Sequence, residues 1–117
     1  MSLLRWFTKN WANTTEPTHP DLSPLELPAP VPEAAARVKT AAGTIRGWSV
    51  HAETDSTLHL LRRTRVFRFV DDIKLTLEPT AAGTRVHAES RSRVGSGDLG
   101  QNRRNILELW KAIASAS

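Results

Sequence analysis

Two stretches of this chain have residue types and spacing that could do chemistry. The first is the adjacent pair Asp71-Asp72. Paired carboxylates can bind a metal ion, or divide acid and base roles between them. On a strand, however, successive side chains point to opposite faces, which weakens any joint role. Asp72 then faces outward, with Arg91 as its expected cross-strand partner. Asp71 shares the inward parity of Ile73, and an inward carboxylate needs a partner because burying it unpaired is costly. Arg65, Arg68 or Arg93 could supply one. The bland reading is a structural ion pair; the sharp one makes Asp71 the base of a small hydrolase or lyase.

The second stretch runs Arg91-Ser92-Arg93-Val94-Gly95-Ser96-Gly97-Asp98-Leu99-Gly100-Gln101-Asn102. It passes from a strand, through a glycine-containing loop, into a helix start. Free backbone N–H groups at such an end attract anions, and Arg103 and Arg104 follow within one turn. Asp98 works against this, because as an N-cap it occupies the same N–H groups. The pattern is not a nucleotide fingerprint, since it has neither G-x-G-x-x-G after a buried parallel strand nor a P-loop lysine. The histidines form no clear metal set. His51, His59 and His87 share the outer parity of three strands, and His51 and His59 could be diagonal neighbours. His87 lies two strands from His59, roughly 10 Å by sheet spacing, too far for ligands that must sit about 2 Å from one ion. No serine–histidine–carboxylate arrangement or nucleophile elbow is readable.

These residues must be positioned by elements that the hydrophobic pattern outlines. Pro32 suits a first helical turn, Glu33 complements its dipole, and Val31, Ala35, Val38, Ala42 and Ile45 repeat at helical spacing. Gly43 or Gly47 can end that helix. Four strands follow by alternation, at about 48–54, 58–64, 70–78 and 84–94. In the first, Trp48, Val50 and Ala52 share the inner face, and a loop at Asp55-Ser56-Thr57 sets Ala52 opposite Leu60. Joining the last two through Pro79–Thr84 sets Glu78 opposite Arg85, Lys74 opposite Glu89 and Asp72 opposite Arg91, three opposite-charge pairs on one face. The same register sets Leu77, Leu75 and Ile73 opposite Val86, Ala88 and Ser90, as a correct register must. The link Thr64–Phe69 has no turn chemistry. A final helix is capped by Asp98 with Gln101 completing a capping box, and it buries Leu99, Ile106, Leu109, Trp110 and Ile113. Small Ala88, Ser90 and Ser92 let it approach the sheet.

Composition bounds the rest. The 117 residues suffice for one core, and apolar residues concentrate after residue 31. Six of the seven prolines fall between residues 14 and 32, which predicts a stiff extended arm, anchored by Leu22, Leu25 and Leu27 as it drapes over the sheet. The absence of cysteine excludes disulfides, zinc–thiolate sites and a cysteine nucleophile. Net charge is +4, and twelve of the sixteen basic residues are Arg, whose planar fork suits carboxylates and phosphates. Nucleic acid is not the expected partner, because the positives alternate with acids and no recognition motif is present. No apolar run is long enough to span a membrane, and the start lacks a signal-peptide core. Trp6, Phe7 and Trp11, with Arg5 and Lys9, could form a short interfacial anchor; the bland alternative packs these aromatics on the domain itself.

The segments Arg63–Asp72, Ser90–Gly95 and Asp98–Asn102, together with Asn13-Thr14-Thr15-Glu16 and His19-Pro20, resemble the bacterial and plastid family catalogued as domain of unknown function 1499. The resemblance spans about residues 13 to 114. Many members of that family are attached to lipoprotein signals or membrane segments, and many carry cysteines near the start; neither is read in this sequence. The family has no assigned activity, so the resemblance bears on fold. It places weight on Asp71, Asp72, Arg91, Arg93, Asp98 and Asn102, which match the family's motifs.

The expectation is an α+β fold: a four-stranded antiparallel meander with one helix before it and one after it, both on one face (α-β-β-β-β-α). A Pro-rich arm over 1–31 precedes a single domain over 32–117. Asp71, Asp72, Arg91, Arg93, Asp98 and Asn102 should converge at one end of the sheet, beside the last helix. The leading functional expectation is a non-catalytic binding or accessory domain. In it Arg91 and Arg93 hold an anionic group of a small molecule, lipid or protein, oriented by Asp71, Asp72 and Asn102. The alternatives are the Asp71 hydrolase or lyase, and a peripheral membrane protein anchored by Trp6, Phe7 and Trp11. No metal or cofactor is expected, and the expected location is the cytoplasm or the membrane periphery.

Overall fold

Eight elements follow in chain order in the computed structural model, which describes residues 11–14, 22–63, 69–93 and 101–116. They are β1 (Trp11–Asn13), β2 (Leu25–Leu27), α1 (Val31–Gly43), β3 (Trp48–Glu53), β4 (Thr57–Arg63), β5 (Val70–Thr80), β6 (Gly83–Ser92) and α2 (Gln101–Ala116). The fold is α+β, with a central antiparallel sheet flanked by one helix before the meander and one after it.

The β5–β6 hairpin forms because its charge and apolar alternations agree in one register. Asp72 pairs with Arg91, Lys74 with Glu89, Glu78 with Arg85, Ile73 with Ser90, Leu75 with Ala88 and Leu77 with Val86. The pairing runs further than expected, through Pro79↔Thr84 to Thr80↔Gly83, leaving only Ala81 and Ala82 as the turn.

The sheet has six strands, not four. β1 and β2 both pair antiparallel with β6, lying end to end along its far edge, so the order is β1/β2-β6-β5-β4-β3. The N-terminal arm was expected to drape over the sheet; at Trp11–Asn13, ahead of the proline-rich stretch, and at Leu25–Leu27 within it, the arm instead supplies strands of the sheet. Three residues each are too few to show alternation, and Pro24 and Pro28 stand just outside β2, where they remove no ladder donor. Gly83 is what admits β2. Its φ is +147°, and a Cβ there would lie 2.1 Å from the Leu27 carbonyl oxygen. At the opposite end Gly47, at φ +90°, brings the chain leaving α1 against β4, with the Arg63 N–H donating to the Gly47 carbonyl at 2.8 Å.

β3 departs from the expected alternation. Its register shifts between Val50 and Ala52, so Ala52 lies opposite His59 and it is Val50 that meets Leu60. Only Trp48 is buried; Val50 is 43% exposed, and Ala52 is exposed. The bulge turns the outer half of this edge strand away from the core, because an extra residue both bends and twists a strand.

Both helices pack on the face that carries Leu58, Leu60, Ile73, Leu75, Leu77, Val86 and Ala88, and they pack on each other. α1 buries Ala34, Val38, Ala41 and Ala42, with Val31, Ala35 and Ile45 at the margin. α2 buries Ile106, Leu109 and Ile113. Trp110 is only partly buried, and its indole N–H donates to the Ser23 carbonyl at 2.9 Å, tying the chain before β2 to the helix.

Candidate functional site

The first turns of α2 meet the ends of β5 and β6, and the sheet divides this corner into two faces. On the covered face lies a chain of buried polar groups. Asp71 is 3% exposed, and its Oδ2 accepts a hydrogen bond from Asn105 Nδ2 at 2.8 Å. The same Nδ2 donates to Ser90 Oγ at 3.1 Å, while Asn105 Oδ1 accepts from Gln101 at 2.7 Å. Ser90 Oγ donates to Asn102 Oδ1 at 2.7 Å, and Asn102 Nδ2 donates to Ser92 Oγ at 2.9 Å. Asn102, Asn105 and Ser90 are fully buried. Each amide here both donates and accepts, which is what a buried amide requires.

This corrects the expected partner of Asp71. Arg93 does not reach it; the Asn105 amide does, since Asp71 and Arg93 lie on opposite faces. Asn105 was missed by the sequence reading, although a signal existed. Asn102 and Asn105 precede Ile106, Leu109 and Ile113 on one helical face, and two amides on an otherwise apolar stripe imply a buried polar partner. Ser90 and Ser92, expected only as small residues, supply hydroxyls to that partner.

On the open face the centre is Asp72. Arg93 grips it with a two-pronged fork, Nε to Oδ2 at 2.8 Å and Nη2 to Oδ1 at 2.9 Å. His59 donates Nε2–H to Oδ1 at 2.7 Å. The Arg93 hydrogen bonds, with a smaller contribution from His59 and from both charges, outweigh the opposing effect of burial. They hold the Asp72 carboxyl at about 2, below its ordinary 3.8. Arg91 is Asp72's backbone partner, as expected, but the guanidinium that grips the carboxylate is Arg93, one row further on. Arg91 is half exposed and lies 3.6 Å from Glu89. The rings of His59 and His51 meet edge-on, with centroids 4.9 Å apart and planes at 75°.

One further residue joins this end of the open face. Arg63 pairs with Val70, whose carbonyl accepts from the Arg93 N–H at 3.1 Å, so Arg63 and Arg93 flank Val70 in one row. Arg63 is exposed, and its side chain makes no ion pair among the described residues. Sequence reasoning passed over it because the strand register that places it was not yet fixed.

Thus Asp71 and Asn102 sit on the covered face, and Asp72, Arg91 and Arg93 on the open one, all at the same end of the sheet. Asp98 lies outside the described residues, as do Arg65, Arg68, Trp6 and Phe7. The backbone of Trp11 is in register with Arg91. Two cavities formed by described residues lie away from the corner. One of about 550 Å³ is lined by Glu26, Leu27, Pro28 and Arg85; the other, about 250 Å³, by Asn13, Lys74, Thr76 and His87. Neither touches Asp71. Among the described residues, no group of three or more His, Cys, Asp or Glu side chains is placed to hold a metal ion, and no helix is long and apolar enough to cross a membrane.

No curated protein and no solved structure matches the chain. A family model does match, over residues 6–113, and so takes in both faces of the polar corner and every element except the last three residues of α2. The chain belongs to the family described as protein of unknown function (DUF1499).

Proposed function

We propose that this is a non-catalytic binding domain that holds an anionic group against the arginine-rich end of its open sheet face. The observation that carries the reading is the exposed Arg63 guanidinium, which makes no ion pair among the described residues and lies across Val70 from Arg93. Arg91 stands in the neighbouring row, and Arg46 lies exposed next to Gly47 at the same end. Of the carboxylates near these arginines, Asp72 is already neutralised by Arg93 and Glu89 lies 3.6 Å from Arg91. Its fork uses Nε and Nη2, which leaves the Nη1 donors of Arg93 outside the pair. A planar guanidinium fixed in this way meets a carboxylate or phosphate with little further loss of side-chain freedom.

This reading moves Asp71 and Asn102 from the ligand to the scaffold. They hold α2 against β5 and β6, while Asp72 does the orienting. It also weighs against Asp71 as a base, since its carboxylate is buried and engaged by Asn105.

The test uses inorganic pyrophosphate as the probe, with the arginine Nε resonances followed by NMR on the whole chain. Saturable shifts at Arg63, Arg91 and Arg93 are expected. The shift at Arg93 should vanish in the R63A/R91A variant, which keeps the Asp72–Arg93 pair and with it the native melting temperature. Absence of shifts in the native chain, or their persistence in the variant, refutes the reading.

A further inference from the structure

We infer that His51 and His59 form a two-histidine site for a borderline divalent metal ion such as Zn²⁺ or Cu²⁺, with water completing the coordination. Three observations carry this. The first is spacing. Two imidazoles bound to one ion at about 2.0–2.1 Å, with a tetrahedral angle between them, place their ring centroids roughly 5 Å apart. The observed separation is 4.9 Å.

The second observation is the state of the nitrogens. A carboxylate only accepts, so the Asp72 hydrogen bond keeps the proton of neutral His59 on Nε2. Nδ1 is then left with a lone pair and makes no hydrogen bond among the described residues. His51 is exposed, and among the described residues its ring is engaged by His59 alone.

The third is the surrounding shell. Metal-binding histidines characteristically donate their second ring nitrogen to a carboxylate, which fixes the tautomer and raises basicity. Asp72 occupies that position, and Arg93 anchors Asp72 in turn. The bulge between Val50 and Ala52 is what brings His51 over His59, because without it the two would be diagonal neighbours on a regular ladder. Lys74, opposite His59 on β5, opposes a cation, and Asp72 next to it favours one. With two protein ligands, imidazole donors select zinc and copper over magnesium or calcium. This site shares the Asp72–Arg93 pair with the arginine end, but its ligands His51 and His59 lie outside that end and it does not rest on the anion reading.

The experiment is calorimetric titration of the whole chain with Zn²⁺ and with Cu²⁺, on the native protein and on H51A, H59A, H87A and D72N. One equivalent should bind the native chain and H87A alike. H51A and H59A should each weaken binding at least tenfold, and D72N, which leaves both ligands in place, roughly ten- to a hundredfold. Electron paramagnetic resonance of the Cu²⁺ form should show two nitrogen ligands, falling to one in H51A. H51A changes an exposed side chain, so its fold should persist and its result stands apart from any stability effect of H59A. Equal affinity in native, H51A and H59A proteins, or no stoichiometric binding by the native chain, overturns the inference.

Discussion

Replacing Asn105 with Ala should unseat α2 from the sheet, and the size of the effect follows from its three hydrogen bonds. The Asn105 amide donates to Asp71 and to Ser90, and its oxygen accepts from Gln101. A hydrogen bond to a charged group contributes about 1.5–3 kcal/mol and a neutral one about 1 kcal/mol. The truncation therefore costs roughly 3–5 kcal/mol, in the range found when a buried charged group loses its partner. For a domain of this size that lowers the melting temperature by roughly 10–20 °C. Urea unfolding followed by circular dichroism measures the loss. A double-mutant cycle with Asp71→Ala isolates the key contact, because the two truncations should fall short of additivity by about 1.5–3 kcal/mol. A single-mutant cost under about 1 kcal/mol, or full additivity, would show that the buried chain of amides and hydroxyls does not hold the helix, and the account of Asp71 would fail with it.

Two other outcomes follow from the same structure. The Asp72 carboxyl is held at about 2 in the folded chain against 3.8 for the ordinary group, so its contribution is fully present above that ordinary value and is lost as pH falls through about 2. The shift corresponds to at most about 2.4 kcal/mol, and solvent around half-exposed Arg93 reduces this to roughly 1 kcal/mol; acid titration of D72N and native protein should converge near pH 2, and a native carboxyl resonance titrating near 4 would contradict it. Gly83→Ala should detach β2, because the new methyl group meets the Leu27 carbonyl at 2.1 Å; a loss of about 2 kcal/mol or more is expected, with faster amide exchange at Leu25 and Leu27, and unchanged exchange there would exclude the crowding.

What could be read from the sequence divides along physical lines. The β5–β6 register was legible because Glu78, Lys74 and Asp72 each meet an opposite charge while Leu77 and Leu75 meet Val86 and Ala88. Two independent patterns pointed to one alignment. Both helices were legible from their 3.6-residue period. β1 and β2 were not, since three residues cannot display a period and their pairing to β6 is set by tertiary contact. The bulge in β3 escaped for a related reason: Trp48, Val50 and Ala52 alternate as a regular strand would, and nothing in that alternation marks the register shift that leaves the last two outside. At the corner, the sequence indicated which end of the sheet would be polar. It did not reveal that Asp71 would choose an amide over a guanidinium, because that choice depends on where α2 docks. Nor did it reveal that Arg93 rather than Arg91 would clasp Asp72, because a long side chain can reach diagonally past its direct neighbour.

The end-to-end placement of β1 and β2 along β6 bears on what the sheet offers to a second strand-bearing chain. β6 supplies Ser90 and Ser92 to the buried polar chain and is the second-longest strand. Left bare, its row of unpaired amides and carbonyls would be a long flat template for another chain. Two short segments of the N-terminal arm occupy that template along most of its length, and the prolines flanking β2 make that segment a poor partner for a further strand. On the far side of the sheet, the kink at His51 spoils β3 for the same purpose. The fold thus closes one border with its own chain and bends the other, so that neither offers a straight ladder for growth.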